Sequence, residues 1–150
     1  MIELIRHAAQ LTGVAPTLLL AICSVESSLV NQDNMDDGGS PSYGICQIKL
    51  TTARDYMPGV TPEMLREPQV NALIAGQHIS WLLERYDGHP CRAISAYNVG
   101  HVRFNEGGNY VNYGYVRKVQ ERARHFGRGI TCDFPKPVSN KEHSQRPASG

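Results

Sequence analysis

The sequence predicts a mostly α-helical domain. Three observations carry this: apolar residues recur at helical spacing in several segments, no segment has a sustained strand-type alternation, and proline and glycine fall where helices would begin and end.

Taken in order, Ile2 to Leu11 reads as a short amphipathic helix, stopped by Thr12-Gly13 with Gly13 as its cap. Pro16 suits the first turn of a second helix ending near Val30. Residues 31–42, with Asp33, Asp36, Asp37, Gly38 and Gly39, read as a polar surface loop. Its acids do not fit a calcium loop of the EF-hand type. With Asp33 first, Met35 takes the third position and Gly44 the twelfth, where a Glu is needed. Tyr43 to Ile48 is a short apolar run holding one Gln. Thr51 or Thr52 is expected to cap a brief helix through Tyr56, closed by Pro58-Gly59.

Thr61-Pro62-Glu63 starts another helical turn. Pro68 opens the longest helix, to about Tyr86, with Val70, Leu73, Ile74, Gln77 and Trp81 on one face. Gly76 inside it costs ~1 kcal/mol against Ala, which predicts a close helix contact there. After the Asp87–Pro90 turn, Cys91 to Val99 forms a helix ended by Gly100, and His101 to Gly114 is loop. Tyr115 to Phe126 is the last helix, basic on its outer side (Arg117, Lys118, Arg122, Arg124) and ended by Gly127. Residues 1–130 are expected to form one folded domain. Residues 131–150, rich in Pro, Ser and charge, are expected to be a tail with little structure of its own.

At 150 residues, 41% hydrophobic and 19% charged, the chain has enough apolar content for a core and is not of disordered type. A net charge of +1 excludes nucleic-acid binding driven by bulk charge. No apolar run approaches the ~18 residues of a membrane span. Charges at Glu3 and Arg6 fall where a signal peptide has its apolar core, so the expectation is a removed signal or another route of delivery. The four cysteines, Cys23, Cys46, Cys91 and Cys132, form no CxxC pair, and no metal site is expected. Three disulfide pairings are open to them; their apolar or helical contexts favour free buried thiols. The six histidines show no ligand spacing with acids or cysteines and read as surface or packing residues.

One residue breaks the pattern. At ~100° per residue, Leu18, Leu19, Ala21, Ile22, Cys23, Val25, Leu29 and Val30 share one arc of the second helix, while Ser24, Ser27, Ser28 and Leu20 share the other. Glu26 falls in the apolar arc, between Leu19 and Ile22. A buried carboxylate is either paired or holds a proton, because its ionised form loses solvation. A carboxylic acid kept protonated near neutral pH is what a general acid for glycosidic cleavage requires.

Three segments then align with Glu26. Glu26-Ser27 ends an apolar helix, Gly44-Ile45-Cys46-Gln47-Ile48 follows a loop, and Ala96-Tyr97-Asn98-Val99-Gly100 comes about fifty residues later. A fourth, Tyr115-Val116-Arg117-Lys118-Val119, lies on the last helix, and Pro68, Asn71 and Gly76 sit between. This ordered set resembles the motifs of the soluble lytic transglycosylase family, over roughly Ile2 to Phe126. It departs in having Ile45 and Cys46 where Leu and Met stand, and Val111 and Asn112 where an acid often precedes the last motif.

The resemblance implies a lysozyme-like fold with a substrate cleft between helices. It implies cleavage of the MurNAc–GlcNAc bond of peptidoglycan glycan strands to anhydro-MurNAc ends, without a cofactor. Glu26 would be the acid and then the base; Gln47, Tyr97, Asn98 and Tyr115 would face substrate or the acid. Either Ser40 or Ser42 takes the place of a loop serine near the acid, with Ser42 counted among substrate-binding candidates. Ile45 and Cys46 would line the cleft, and Ser27 would support the helix end. The expected site of action is the periplasm or cell wall, with carriage in a phage particle preferred over a secretion or conjugation machine, and with partner proteins met through the tail. Two other readings remain: a lysozyme-type hydrolase using Asp33, Asp36 or Asp37 as second carboxylate, and a non-catalytic wall-binding component.

Overall fold

The computed structural model describes residues 1–132. Helices α1 (Ile2–Thr12) and α2 (Pro16–Ser27) are followed by a small antiparallel sheet, β1 (Asn34–Asp37), β2 (Ser40–Tyr43) and β3 (Ile48–Lys49). Helices α3 (Leu50–Tyr56), α4 (Pro62–Leu65), α5 (Pro68–Arg85), α6 (Pro90–Val99) and α7 (Tyr113–His125) complete the described chain.

Proline opens four of these helices, at Pro16, Pro62, Pro68 and Pro90, where its missing N–H is no loss. At α4, Thr61 also accepts the Met64 N–H on its side chain. Gly13, with φ 73, caps α1 as expected. Gly76 explains the packing of α1 on α5: a Cβ there would collide with the Thr12 side chain at the end of α1.

Helix α2 is the centre of the molecule, packed against α1, α5 and α7. It is apolar almost all round, as a fully enclosed helix must be. The arc read from the sequence as polar is buried too, except for Ser28 at its end. Leu20 is fully enclosed, and Ser24 and Ser27 are buried with partners: Arg122 Nη1 donates to Ser24 Oγ, and Ser27 Oγ donates to the Ile45 carbonyl at 2.6 Å.

Four expectations are corrected. The segment read as loop contains the β1–β2 hairpin, turned by Gly38 and Gly39, both at positive φ, with Asp37 opposite Ser40. Lys49, not Thr51 or Thr52, precedes the first turn of α3, and no side chain caps it. The face of α5 read from the sequence is only partly buried: Ile74 is enclosed but Trp81 is 48% exposed, and α5 also buries Asn71, Ala72, Ala75, Ile79 and Leu82. The cysteines are paired, Cys23 with Cys46 and Cys91 with Cys132. A buried thiol and a buried half-cystine occupy the same apolar surroundings, so local context does not separate them. Of the expected tail, all but residues 131 and 132 lies outside the described residues.

Candidate active site

Glu26 sits in the last turn of α2. Beyond it Ser28 and Leu29 both take left-handed backbone conformations, turning the chain sharply towards the hairpin. The Tyr115 hydroxyl, from the third residue of α7, donates to Glu26 Oε2 at 2.7 Å. Burial raises the Glu26 pKa from 4.5 to about 7; the Tyr115 hydrogen bond opposes that rise and the nearby Asp37 charge adds to it. Glu26 is thus poised to hold or release a proton near neutrality. Burial beside the Glu26 charge pushes the Tyr97 and Tyr115 phenols up, which keeps both as hydroxyl donors.

Glu26 opens onto a cleft of about 360 Å³. The sheet side contributes Asp37, Gln47, Ile48 and Lys49; α3 and α5 contribute Thr52, Asp55 and His78; α6 contributes Tyr97 and Asn98. Four residues singled out from the sequence, Glu26, Gln47, Tyr97 and Asn98, therefore line one cavity, with Tyr115 bonded to Glu26.

The other three lie behind the wall. Ser42 is fully buried and donates to Asp37 Oδ2 or Gln47 Oε1, each at 2.9 Å. Ile45 and Cys46 are fully buried; they present backbone, with the Ile45 carbonyl accepting from Ser27 and the Cys46 carbonyl accepting from the Tyr97 hydroxyl at 2.7 Å. The Gln47 amide is engaged with its own loop, Nε2 donating to the Gln32 and Gly44 carbonyls at 2.7 and 2.9 Å. Those bonds hold Gln47 at φ 52, an uncommon conformation for a side chain of its size.

The segment from Gly44 to Ile48 is pinned from beneath by Asn71, a fully buried polar side chain of α5. Asn71 Oδ1 accepts the Cys46 N–H at 2.9 Å, and its Nδ2 donates to the Tyr43 and Leu65 carbonyls at 2.7 and 2.8 Å. Gly44 is required above it: at φ 78, a Cβ would collide with the Asn71 amide and the Leu65 carbonyl. The Cys23–Cys46 disulfide ties the same segment to α2 one turn before Glu26. On the opposite side, Asn112 Nδ2 donates to Asn98 Oδ1 at 2.9 Å while its Oδ1 accepts from Ser95, fixing Asn98 at the rim.

Of the three loop acids, Asp37 faces the cleft. Asp33 accepts Arg66 Nε at 2.8 Å, and Asp36 is exposed on β1. Asp55 went unremarked in the sequence, and Thr52 was read only as a helix cap; their three-residue spacing on α3 puts them on one face. His78 was read as surface or packing, yet it lines the cleft. Among the described residues no group of three His, Cys, Asp or Glu side chains is placed to hold a metal ion. Nor, among them, is any helix long and apolar enough to cross a membrane.

Residues 3–115 match the transglycosylase SLT domain family model. Among solved structures, the chain is similar to the lytic transglycosylase Slt of Pseudomonas aeruginosa, in an inactive mutant form, with a TM-score of 0.67 and 20% identity over 93% of this chain. It is also similar to the 70 kDa soluble lytic transglycosylase of Escherichia coli, with a TM-score of 0.54 and 19% identity over 81% of this chain. The chain spans 26% and 18% of those two proteins respectively. At these identities the structural likeness speaks for the fold, and the family match over most of the described residues decides the rest: the chain belongs to the transglycosylase SLT domain family.

Proposed function

We propose that this chain is a peptidoglycan lytic transglycosylase in which Glu26 is the proton donor and then the proton acceptor. The observation that carries the reading is a single carboxylate, lifted to about 7 by burial, at the wall of an open cleft and bonded to Tyr115. Protonated Glu26 gives its proton to the glycosidic oxygen as the bond from the MurNAc anomeric carbon breaks. The carboxylate so formed takes the proton of the muramic acid's own hydroxyl as that oxygen attacks the same carbon. Glu26 ends protonated, water is not consumed, and the product carries an anhydro-MurNAc end. The nucleophile is already tethered to the reacting carbon, so the protein need supply only geometry and the proton. Residues 1–130 are the catalytic unit in this reading.

The two disulfides suit an oxidising compartment such as the periplasm, where the wall substrate lies. Carriage in a phage particle is the finer form of the reading and rests on the sequence alone; mass spectrometry of purified particles lacking the chain would remove it.

A hydrolase is the second reading, favoured by the presence of Asp37 in the same cleft. Against it, Asp37 Oδ2 lies 2.9 Å from the Ser42 hydroxyl, which can donate to it, and it is Glu26 whose proton affinity burial raises. Mass spectrometry of digested peptidoglycan separates the two. Anhydro-muramoyl products are expected, and reducing-end muramic products would overturn the transglycosylase assignment. Glu26→Gln should keep the fold and lower the rate by about 10²–10⁴-fold, the usual worth of a general acid–base group. Wild-type lysis by that variant would show that Glu26 is not the proton donor.

A further inference from the structure

The part of the cleft formed by α3 and α5 holds a constellation that proton transfer does not use. His78 of α5 lies among three aromatic rings. Its ring is parallel to Trp81 (centroids 6.3 Å, 9° apart), tilted against Tyr97 at 5.6 Å and edge-on to Tyr56 at 5.6 Å. His78 Nδ1 is hydrogen-bonded to the Tyr56 hydroxyl at 2.7 Å. Burial pushes the His78 pKa down to about 4 and the Tyr56 phenol up to about 12, so both are neutral and the hydroxyl keeps its hydrogen. In the tautomer in which Tyr56 donates to Nδ1, the ring hydrogen sits on Nε2. Among the described residues no partner takes Nε2. Beside His78, Thr52 and Asp55 project from one face of α3, which packs on α5.

An immobilised aromatic-backed donor next to an exposed carboxylate and a hydroxyl is a poor proton relay but a good match for a sugar. Pyranose rings present vicinal hydroxyls and N-acetyl groups, each needing a donor and an acceptor at fixed separation, and they leave an apolar face for aromatic contact. We propose that Thr52, Asp55 and His78 form a saccharide subsite, with His78 Nε2 donating to and Asp55 accepting from one N-acetylhexosamine of the bound strand. Tyr56 and Trp81 are positioning residues: one fixes the imidazole's tautomer, the other its plane. The subsite rests on the cleft being a glycan cleft, but it makes no use of Glu26's proton chemistry.

The protein carries its own reporter. Trp81 is the one tryptophan of the chain, is 48% exposed and stacks on His78. Titrating an N-acetylglucosamine oligomer into the full chain carrying Glu26→Gln should change Trp81 emission. Adding His78→Phe, which keeps the ring stack, should weaken binding about 5- to 10-fold, the worth of one neutral hydrogen bond. Asp55→Asn, on an exposed side chain that leaves the core untouched, should weaken it to a similar or smaller extent, with an unchanged melting temperature. Undiminished oligomer affinity in both variants would overturn the subsite. So would His78-dependent binding of a free stem peptide in place of the oligomer. If wild-type protein released no anhydro-muramoyl product while oligomer binding still depended on His78 and Asp55, the transglycosylase reading would fail and the subsite would stand.

Discussion

Glu26 reaches the cleft from α2, with Tyr115 of α7 bonded to it, whereas Asp37, Gln47, Ile48 and Lys49 reach the cleft from the small sheet and the loop joined to it. The helical wall is held by apolar packing, with Leu19 and Ile22 on α2 and Val116, Val119 and Ala123 on α7 all enclosed. The sheet wall has strands of four, four and two residues, too short to stand alone. It is held by buried polar pins and a disulfide: Asn71, Ser42, Ser27 and Cys23–Cys46. Packing is distributed over many atoms and forgives single changes. A polar pin is concentrated in one side chain, so losing it leaves several groups unpaired at once.

The sharpest way to break this difference is Asn71→Leu. The substitution keeps the volume, but the Cys46 N–H and the Tyr43 and Leu65 carbonyls lose their partner. At ~1–3 kcal/mol for each buried group left unsatisfied, a loss of about 3–5 kcal/mol is expected, with the catalytic rate falling as the loop moves. Urea unfolding reads the stability directly, and a change under about 1 kcal/mol would show that the sheet wall is not held this way. On the helical wall, Val119→Ala should cost less, about 1–3 kcal/mol, and leave the site in place.

Next in size is the disulfide. Cys23→Ala with Cys46→Ala opens a loop of sequence separation 23, which chain-entropy reasoning values at about 3 kcal/mol. Because Cys46 also supplies the carbonyl that Tyr97 grips, activity should fall with stability. Full activity in a destabilised double variant would make the bridge a staple for the fold and no part of the cleft's geometry.

The same contrast explains what the sequence shows. The helical wall was legible because helices announce themselves through period and punctuation: Pro16 and Pro68 open helices, and Gly13 and Gly100 end them, as expected. Glu26 stood out because period made it an exception. The sheet wall has strands too short for an alternation to accumulate, and its order comes from Asn71, 24 residues beyond Gln47 in the chain, where no local pattern reaches. One signal was there to be used: Asp37-Gly38-Gly39-Ser40 is a two-residue hairpin signature that the surrounding acids concealed. His78 and Asp55 were hidden for another reason. Helical spacing tells which face a residue shares, but not that α3 and α5, separate in the chain, pack together at the cleft.

The smallest expected effect sets the two walls against each other on one proton. Tyr115, from the helical wall, stabilises the Glu26 carboxylate by donating to it; Asp37, from the sheet wall, repels that charge. Cleavage needs the protonated acid, so the rate should decline as pH rises through about 7. Tyr115→Phe removes the lowering influence, raises the Glu26 pKa and moves that decline to higher pH. Asp37→Asn removes a raising influence and moves it to lower pH, by less, since the hydrogen bond outweighs the Asp37 charge. Stability follows the same sign. A folded-state pKa raised from 4.5 to about 7 favours the fold fully below about 4.5, and this is lost as pH rises through about 7. In Tyr115→Phe that loss should fall at higher pH, and in Asp37→Asn at lower pH. The pH profile of kcat/KM on a soluble glycan strand, beside melting temperature against pH, checks both. Opposite displacements would place the two walls in electrostatic opposition at Glu26; displacements in one direction, or in neither variant, would mean that another group sets the limb.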